Sequence, residues 1–230
     1  MVNIAKPEVS LIAFSECDLR EIEDFQDIDD HSTGVEDIIE FAGRACYQSF
    51  HKPNPATRAN KDYLNRTLLE QGHWSIAEHA SATVYITGVS RAFTHELIRH
   101  RHLSFSQLSQ RFVDESEANI VVPPALRGNE EAIELLKSDA EVAFIVYSKL
   151  VERLIAEGKT RKQAREAARC VLPNMAETRI VVTGNFRAWH EVIERRTAPD
   201  VDAEMVEVMG LIREALCDES TVIFGGRHHV

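Results

Sequence analysis

The sequence predicts an α+β fold in one domain, and three observations point there. Stretches with strand-like alternation are scattered irregularly among stretches with helical apolar spacing, without the regular rhythm of a βαβ repeat. No Gly-rich phosphate loop of Walker or dinucleotide type, no internal repeat and no low-complexity linker divides the chain. The 230 residues, 44% hydrophobic and 27% charged, suffice for a sizeable core and fit a single domain over 1–230.

In order, Val9–Phe14 is short and apolar enough for a strand, and Val35–Phe50 places Ile38, Ile39, Ala42, Ala45 and Cys46 at helical spacing. Pro53 and Pro55 break that pattern, Thr57 offers an N-cap for a helix to about Glu70, and Gly72 ends it. Ala80–Gly88 alternates β-branched and aromatic residues as a half-buried strand does, after which Ser90 caps a helix over Arg91–His100. Ile120–Val122 is a short extended piece before two prolines. Glu130–Glu157 reads as one long helix, with Leu135, Leu136, Val142, Val146, Leu150 and Leu154 among its apolar positions, and Gly158 closes it. Thr160 caps a further helix ending near Val171–Pro173, Arg179–Gly184 reads as a strand, and Asn185 caps a helix through Arg196. A last helix, about Val201–Leu216, precedes Thr221–Phe224, another strand candidate.

The net charge of −11, from 26 bases and 37 acids, argues at first against an anionic partner. Its position changes that reading: residues 16–40 hold eleven acids against one base, Arg20, so about −10 lies in a stretch that reads as a solvated surface. The four cysteines, Cys17, Cys46, Cys170 and Cys217, include no CxxC pair, and the start Met-Val-Asn-Ile-Ala-Lys lacks a secretory apolar run. With no window near the ~18 unbroken apolar residues of a membrane span, the expectation is a cytoplasmic protein with no membrane partner; His228 and His229 are too few for a tag. Cys46 and Cys170 read as small buried hydrophobes.

The most unusual run is Arg99-His100-Arg101-His102-Leu103-Ser104-Phe105-Ser106-Gln107-Leu108-Ser109-Gln110-Arg111, which gathers three Arg, two His, three Ser and two Gln without an acid. Guanidinium groups fork onto phosphate oxygens, and Gln amides and Ser hydroxyls serve a base edge or ribose, so the run suits a nucleotide. Rival readings are a basic helix end complementing its own dipole, a metal site from His95, His100 and His102 with His73 and His79, and a nucleic-acid patch with Phe105 and Phe112 as stacking surfaces. The first leaves the Ser/Gln run unexplained, the second puts a cation among arginines, and the third lacks lysine. No metal is assigned and nucleic acid is not expected.

Arg99-His100-Arg101, seven residues and then Ser109 resemble the signature of the flavin-dependent thymidylate synthases. So do Phe41–Tyr47, Gly72–His79, Ala168–Pro173 and Asn185–Arg187 followed by Arg196. The resemblance implies mixed helices and a mostly antiparallel sheet, like the thymidylate synthase-complementing proteins. It further implies a homotetramer with active sites at subunit junctions, each holding FAD and deoxyuridine monophosphate (dUMP). A one-carbon unit from methylenetetrahydrofolate would pass to uracil C5, with NADPH as reductant, giving dTMP. The alternative is a nucleotide or single-stranded nucleic-acid binder without catalysis.

Carried over by position, the resemblance puts His73, Ser75, Arg99, His100, Arg101, Gln107, Asn185, Phe186, Arg187 and Glu191 on FAD. It puts Glu96, Leu97, Ile98, Arg99, Gln107, Leu108, Ser109, Gln110, Arg111, Arg169 and Arg196 on dUMP, with Arg111 and Arg169 as phosphate and ribose anchors. Arg196 is the catalytic candidate: a permanent cation at the uracil N3/O2 edge stabilises charge on the ring and makes C5 nucleophilic without a cysteine adduct. Ser109 is assigned to positioning, since no His–Asp partner marks it as activated. Two departures stand out. Glu191 stands where relatives have a polar FAD contact and, as a carboxylate, would repel a phosphate, and Asp200-Val201-Asp202 stands where relatives tend to carry a His-Ala-Asp-like patch. His79 and His190 read as structural, and Trp74 and Trp189 as core or pocket wall.

Overall fold

The computed structural model describes residues 2–25, 28–29 and 31–225; Asp27, Asp30, His228 and His229 lie outside the described residues. The architecture is α+β, as expected. Strands β1 (Ile4–Ala5), β2 (Glu8–Phe14), β3 (Ser81–Ser90), β4 (Ser104–Gln107), β5 (Ile120–Val121) and β6 (Glu177–Asn185) form two sheets. The larger is antiparallel throughout, in the order β2-β3-β6-β4, and a small parallel pair joins β1 to β5. β3 and β6 alternate strictly along most of their length, so Ala82, Val84 and Ile86 face the core with Ile180 and Val182. The register of β3 shifts between Ile86 and Val89. Gly88 allows this: its φ is +66°, and a Cβ there would collide with the Lys6 carbonyl.

The helices are α1 (Leu19–Ile22), α2 (Gly34–Tyr47), α3 (Asn60–Leu64), α4 (Arg91–Leu97), α5 (Glu130–Ala156), α6 (Arg161–Ala168), α7 (Phe186–Arg196), α8 (Ala203–Cys217) and α9 (Thr221–Phe224). Ser90, Thr160 and Asn185 cap α4, α6 and α7 as their sequences predict, Thr160 in a reciprocal box with Gln163. Thr57 does not cap: it closes a short 3-10 turn capped by Asn54, and α3 starts after Ala59 and runs on as a π turn over Asn65–Glu70. The core lies between the sheet and α2, α7, α8 and α9, with Trp189 fully buried and its indole N–H donating to the Ala82 carbonyl at 3.1 Å.

Three further expectations fail. Thr221–Phe224 is a helical turn rather than a strand, because Val222, Ile223 and Phe224 are all buried and an extended segment would bury only alternate residues. Ser220 starts the turn, accepting the Ile223 N–H at 3.3 Å. The stretch 16–40 is not merely solvated surface, since Glu36, Asp37 and Glu40 are buried on α2. Finally, Cys46 and Cys170 are exposed.

Each of these three acids has a partner. Glu36 accepts from the Ser220 hydroxyl at 2.8 Å, and Asp37 from the Ser32 hydroxyl at 2.6 Å. Burial pushes the Asp37 carboxyl up, against that bond. Glu40 accepts from Arg44 Nε at 2.6 Å and from the Asn60 amide at 3.0 Å, while the other Arg44 donors reach the Ser49 and Thr57 carbonyls and its cation sits over the Tyr63 ring. Removing one member of a buried pair strands the other charge, so Arg44→Ala is expected to destabilise by about 3–5 kcal/mol. Urea unfolding checks this against Arg20→Ala, whose exposed pairing with Asp18 should leave the midpoint unchanged.

Candidate active site

The polar run begins where α4 stops. Ser90 ends β3 and caps α4, its hydroxyl oxygen accepting the Phe93 N–H at 3.0 Å. Its own N–H and O–H donate to Glu204 at 2.8 and 2.6 Å. The Glu204 carboxylate from α8 therefore fixes the start of the helix that carries Glu96. α4 ends at Leu97, earlier than its sequence predicts, and residues 98–103 form turns leading to β4.

At this end of α4 four of the expected residues meet. Arg196, the last residue of α7, donates from Nε to His100 Nε2 at 2.9 Å and points a terminal nitrogen to the Glu96 carbonyl at 3.5 Å and carboxylate at 3.6 Å. Arg99, largely exposed, pairs with the same carboxylate at 3.0 Å. Burial and the cations Arg196, Arg195 and Arg99 hold the His100 imidazole below its usual range, so it remains neutral and can accept the Arg196 N–H. The result is a guanidinium fixed at one edge by a neutral imidazole, with other donors available to a ligand.

A second group lies at the opposite end of α7. Asn185 caps that helix by accepting the Ala188 N–H at 2.8 Å. Arg187 is held between Glu78 at 2.6 Å and Glu191 at 2.8 Å. The expected repulsion between Glu191 and a phosphate thus takes another form: the carboxylate partly neutralises Arg187. His73 and Ser75 lie beside Arg187 around a cavity of about 420 Å³, formed with a 3-10 turn over Trp74–His79 and with α2. Trp74 is a wall of it, stacked on His190 at 3.9 Å, whereas His79 is exposed.

The third group follows β4. The Gln107 amide donates to the hydroxyls of Thr94 at 2.8 Å and Thr178 at 3.3 Å. Leu108 continues the pairing by donating its N–H to the Arg179 carbonyl at 2.9 Å. Ser109 then accepts the Arg111 N–H at 3.4 Å, and Arg111 reaches Glu166 of α6 at 2.8 Å. Arg169, just beyond α6, is exposed, and Gln110 is buried beside a cavity of about 520 Å³ under α4. Arg101 is exposed.

Leu97 and Phe186 do not fit as side-chain ligands, because both are fully buried in the core; only their backbone could face one. Ile98 is exposed. Asp202 accepts the Glu204 and Met205 N–H groups as the cap of α8, so the acids after Arg196 serve the fold. The sequence reading missed Glu78, Arg91, Glu115 and Glu166. Only long-range pairing marks them: Glu78 is 109 residues from Arg187, and no local spacing signals it. Among the described residues no three His, Cys, Asp or Glu side chains gather to hold a metal ion. No helix among them is long and apolar enough to cross a membrane.

The single chain keeps the Arg187 group apart from the other two, whereas Glu96 of the first group shares the cavity beside Gln110. Neither Gln107 nor Gln110 lines the cavity beside Arg187, and neither Ser75 nor Arg187 lines the cavity beside Gln110.

Residues 28–219 match the family model described as thymidylate synthase complementing protein. The chain is similar to the flavin-dependent thymidylate synthase of Mycobacteroides abscessus, 51% identical over 195 residues, covering 82% of this chain and 78% of the relative. It is also similar to the flavin-dependent thymidylate synthase of Corynebacterium aurimucosum, 43% identical over 99% of this chain and 94% of that one. Its fold is similar to thymidylate synthase X of Helicobacter pylori, solved with FAD and dUMP, at a TM-score of 0.69 and 21% identity over 95% of this chain and 97% of the other.

Proposed function

This chain belongs to the flavin-dependent thymidylate synthases, and from that premise we propose that it methylates dUMP to dTMP, binding FAD and using methylenetetrahydrofolate as one-carbon donor and NADPH as reductant. The observation that carries the proposal is the end-on meeting of Arg196, His100, Glu96 and Arg99, where a partly buried guanidinium is presented beside a neutral imidazole. We place the enzyme in the cytoplasm as a homotetramer, with the whole chain acting as one catalytic domain.

The residues fit a flavin dinucleotide. The cavity beside Arg187, with His73 and Ser75 at its edge, offers an apolar wall in Trp74 and polar donors next to it, and Arg99 and Arg101 present exposed cations for a diphosphate. When bound, FAD supplies the redox and one-carbon relay chemistry between NADPH, folate and nucleotide. The protein's part is to hold and polarise. Arg111 and Arg169 anchor the dUMP phosphate and ribose, Arg111 exchanging its Glu166 partner for phosphate. Ser109 and Gln110 orient the nucleotide, and Arg196 faces the uracil edge, where a fixed cation stabilises developing negative charge. No thiol is needed, and none of the four cysteines lies in the Arg196 cluster.

The test is direct. Purified protein, or protein reconstituted with FAD, should show a flavin absorption band that bleaches when NADPH and then dUMP are supplied, with dTMP appearing on addition of methylenetetrahydrofolate. A protein that takes up no flavin, consumes no NADPH and instead shows salt-sensitive affinity for oligonucleotides that dUMP does not compete away would overturn the assignment in favour of nucleic-acid binding.

A further inference from the structure

Glu204 is 6% exposed, in the first turn of α8, and has no place in the ligand assignments above. Both of its carboxylate oxygens are spent on one residue. Oε1 accepts the Ser90 N–H at 2.8 Å, and Oε2 accepts the Ser90 hydroxyl at 2.6 Å. The hydroxyl oxygen accepts in turn from the Phe93 N–H at 3.0 Å, so one hydroxyl both caps α4 and ties it to α8.

These bonds close a ring that passes through the Arg196 cluster. From Ser90 the chain runs along α4, whose seven residues rise about 10 Å. Two turn bonds carry it on to His100: the Arg99 N–H donates to the Glu96 carbonyl at 3.4 Å and the His100 N–H to the Leu97 carbonyl at 3.2 Å. His100 accepts from Arg196 at 2.9 Å. From Arg196 the chain turns back, with the Thr197 and Val201 N–H groups donating to the Ile193 and Ala198 carbonyls, and Asp202 caps α8 just ahead of Glu204. Two short segments, 90–100 and 196–204, are therefore joined at one end by Ser90 and Glu204 and at the other by His100 and Arg196. Phe93 and Leu97 of α4 and Met205 and Val208 of α8 are buried in the same core. Apolar burial is non-directional, so it holds α4 in place laterally without fixing how far the helix slides or turns about its axis. The Ser90 bonds supply that direction.

We propose that Glu204 is a positioning residue for the Arg196 guanidinium: by locking the start of α4 to the start of α8, it sets the separation across which Arg196 meets His100 and Glu96. This role rests on the reading that Arg196 faces the uracil edge of dUMP. With the Ser90 end open, the Arg196 contacts must be closed against the freedom of two loosened segments, and the guanidinium loses its pre-organisation. Glu204 is itself buried and acts through the two helices.

The test uses the FAD-loaded enzyme at pH 7.5 and follows dTMP formation at saturating dUMP, with bound flavin read by absorbance. Glu204→Gln is measured alone and combined with Arg196→Ala. Glutamine keeps the size of the side chain but turns one acceptor into a donor, so one of the two Ser90 bonds is lost. Turnover should fall about tenfold, while flavin content stays within about twofold. In the Arg196→Ala background the same change should cost nothing further, because a brace for a guanidinium has no effect once the guanidinium is gone. Ser90→Ala deletes the hydroxyl on the other side of the same contact and should behave alike in both backgrounds, which keeps the cycle measurable if Glu204→Gln does not fold.

A role confined to stability gives a different pattern, multiplying the loss equally in the two backgrounds. That equal loss, wild-type turnover in Glu204→Gln and Ser90→Ala, or flavin lost in parallel with turnover overturns the positioning role. Full turnover in Arg196→Ala alone removes the reading of Arg196 itself, and this inference with it.

Discussion

Arg196→Ala is expected to lower dTMP formation by about 10²–10³-fold at saturating dUMP, while the protein keeps its flavin. Arg196 is spatially separated from the Arg187 cavity by the length of α7, whose 11 residues span roughly 16 Å, so losing its side chain leaves that cavity intact. Two of its contacts, to His100 and Glu96, are already made by the protein, and this pre-organisation removes the cost of ordering the guanidinium during the reaction. Lysine would place a charge there without the fork that binds His100, so Arg196→Lys should recover little turnover. The neutral state of His100 gives the sign of the pH effect. Its pKa is lowered, so the imidazole accepts from Arg196 at neutral pH, and acidification to below the ordinary histidine range puts a second cation against Arg196 and breaks the bond. Turnover should therefore fall on the acid side below the usual 6.5. Steady-state turnover alongside bound flavin, read from absorbance, checks the assignment; flavin lost in parallel with activity would make Arg196 a cofactor residue instead.

What the sequence could reveal of this fold follows from the range of the forces involved. Caps, proline breaks and positive-φ glycines act within a turn, so Ser90, Thr160, Asn185, Gly72 and Gly158 mark true boundaries. Thr221–Phe224 misled because its β-branched run is a weak local preference, overridden by the need to bury three consecutive side chains against Phe186 and its neighbours. The acids of α2 misled in the same way. Their partners Ser220 and Asn60 lie 184 and 20 residues away, and nothing adjacent to Glu36 or Glu40 announces burial.

The site was legible in its residue types and only partly in its geometry. The run from Arg99 to Arg111 advertises an anionic ligand by composition alone, and a family resemblance orders its members. That Arg196 would rest on His100, 96 residues away, is a product of where β3, α4 and α7 pack. The resemblance also carried Leu97 and Phe186 along as neighbours of functional positions, although a short helix must turn some of its residues inward.

Charged substitutions on the outer face of α5 are expected to break the proposed homotetramer and abolish turnover. The long helix is apolar on two sides. Phe144, Ala140 and Tyr147 face the chain's own core, whereas Leu135 and Val142 are 71% and 59% exposed, and Val146 is exposed with them. At about 100° per residue, Leu135, Val142 and Val146 fall within roughly 40° of one another and Phe144 lies opposite. A monomer gains nothing from such a stripe, whereas a second copy can cover it, and in a symmetric tetramer each substitution is repeated at every copy. Val142→Asp with Val146→Asp should leave the folded subunit intact, because neither side chain is buried within it. It should nevertheless shift light scattering from the proposed tetramer toward smaller species at equal concentration, since an unpaired carboxylate in an apolar interface costs several kcal/mol. The groups around Arg187 and around Gln107 to Arg111 lie on separate cavities of one chain, so a site completed across subunits loses flavin retention and turnover together when the copies part. A variant that scatters as a monomer, keeps its helical circular dichroism and still turns over would show that each chain builds a complete site by itself.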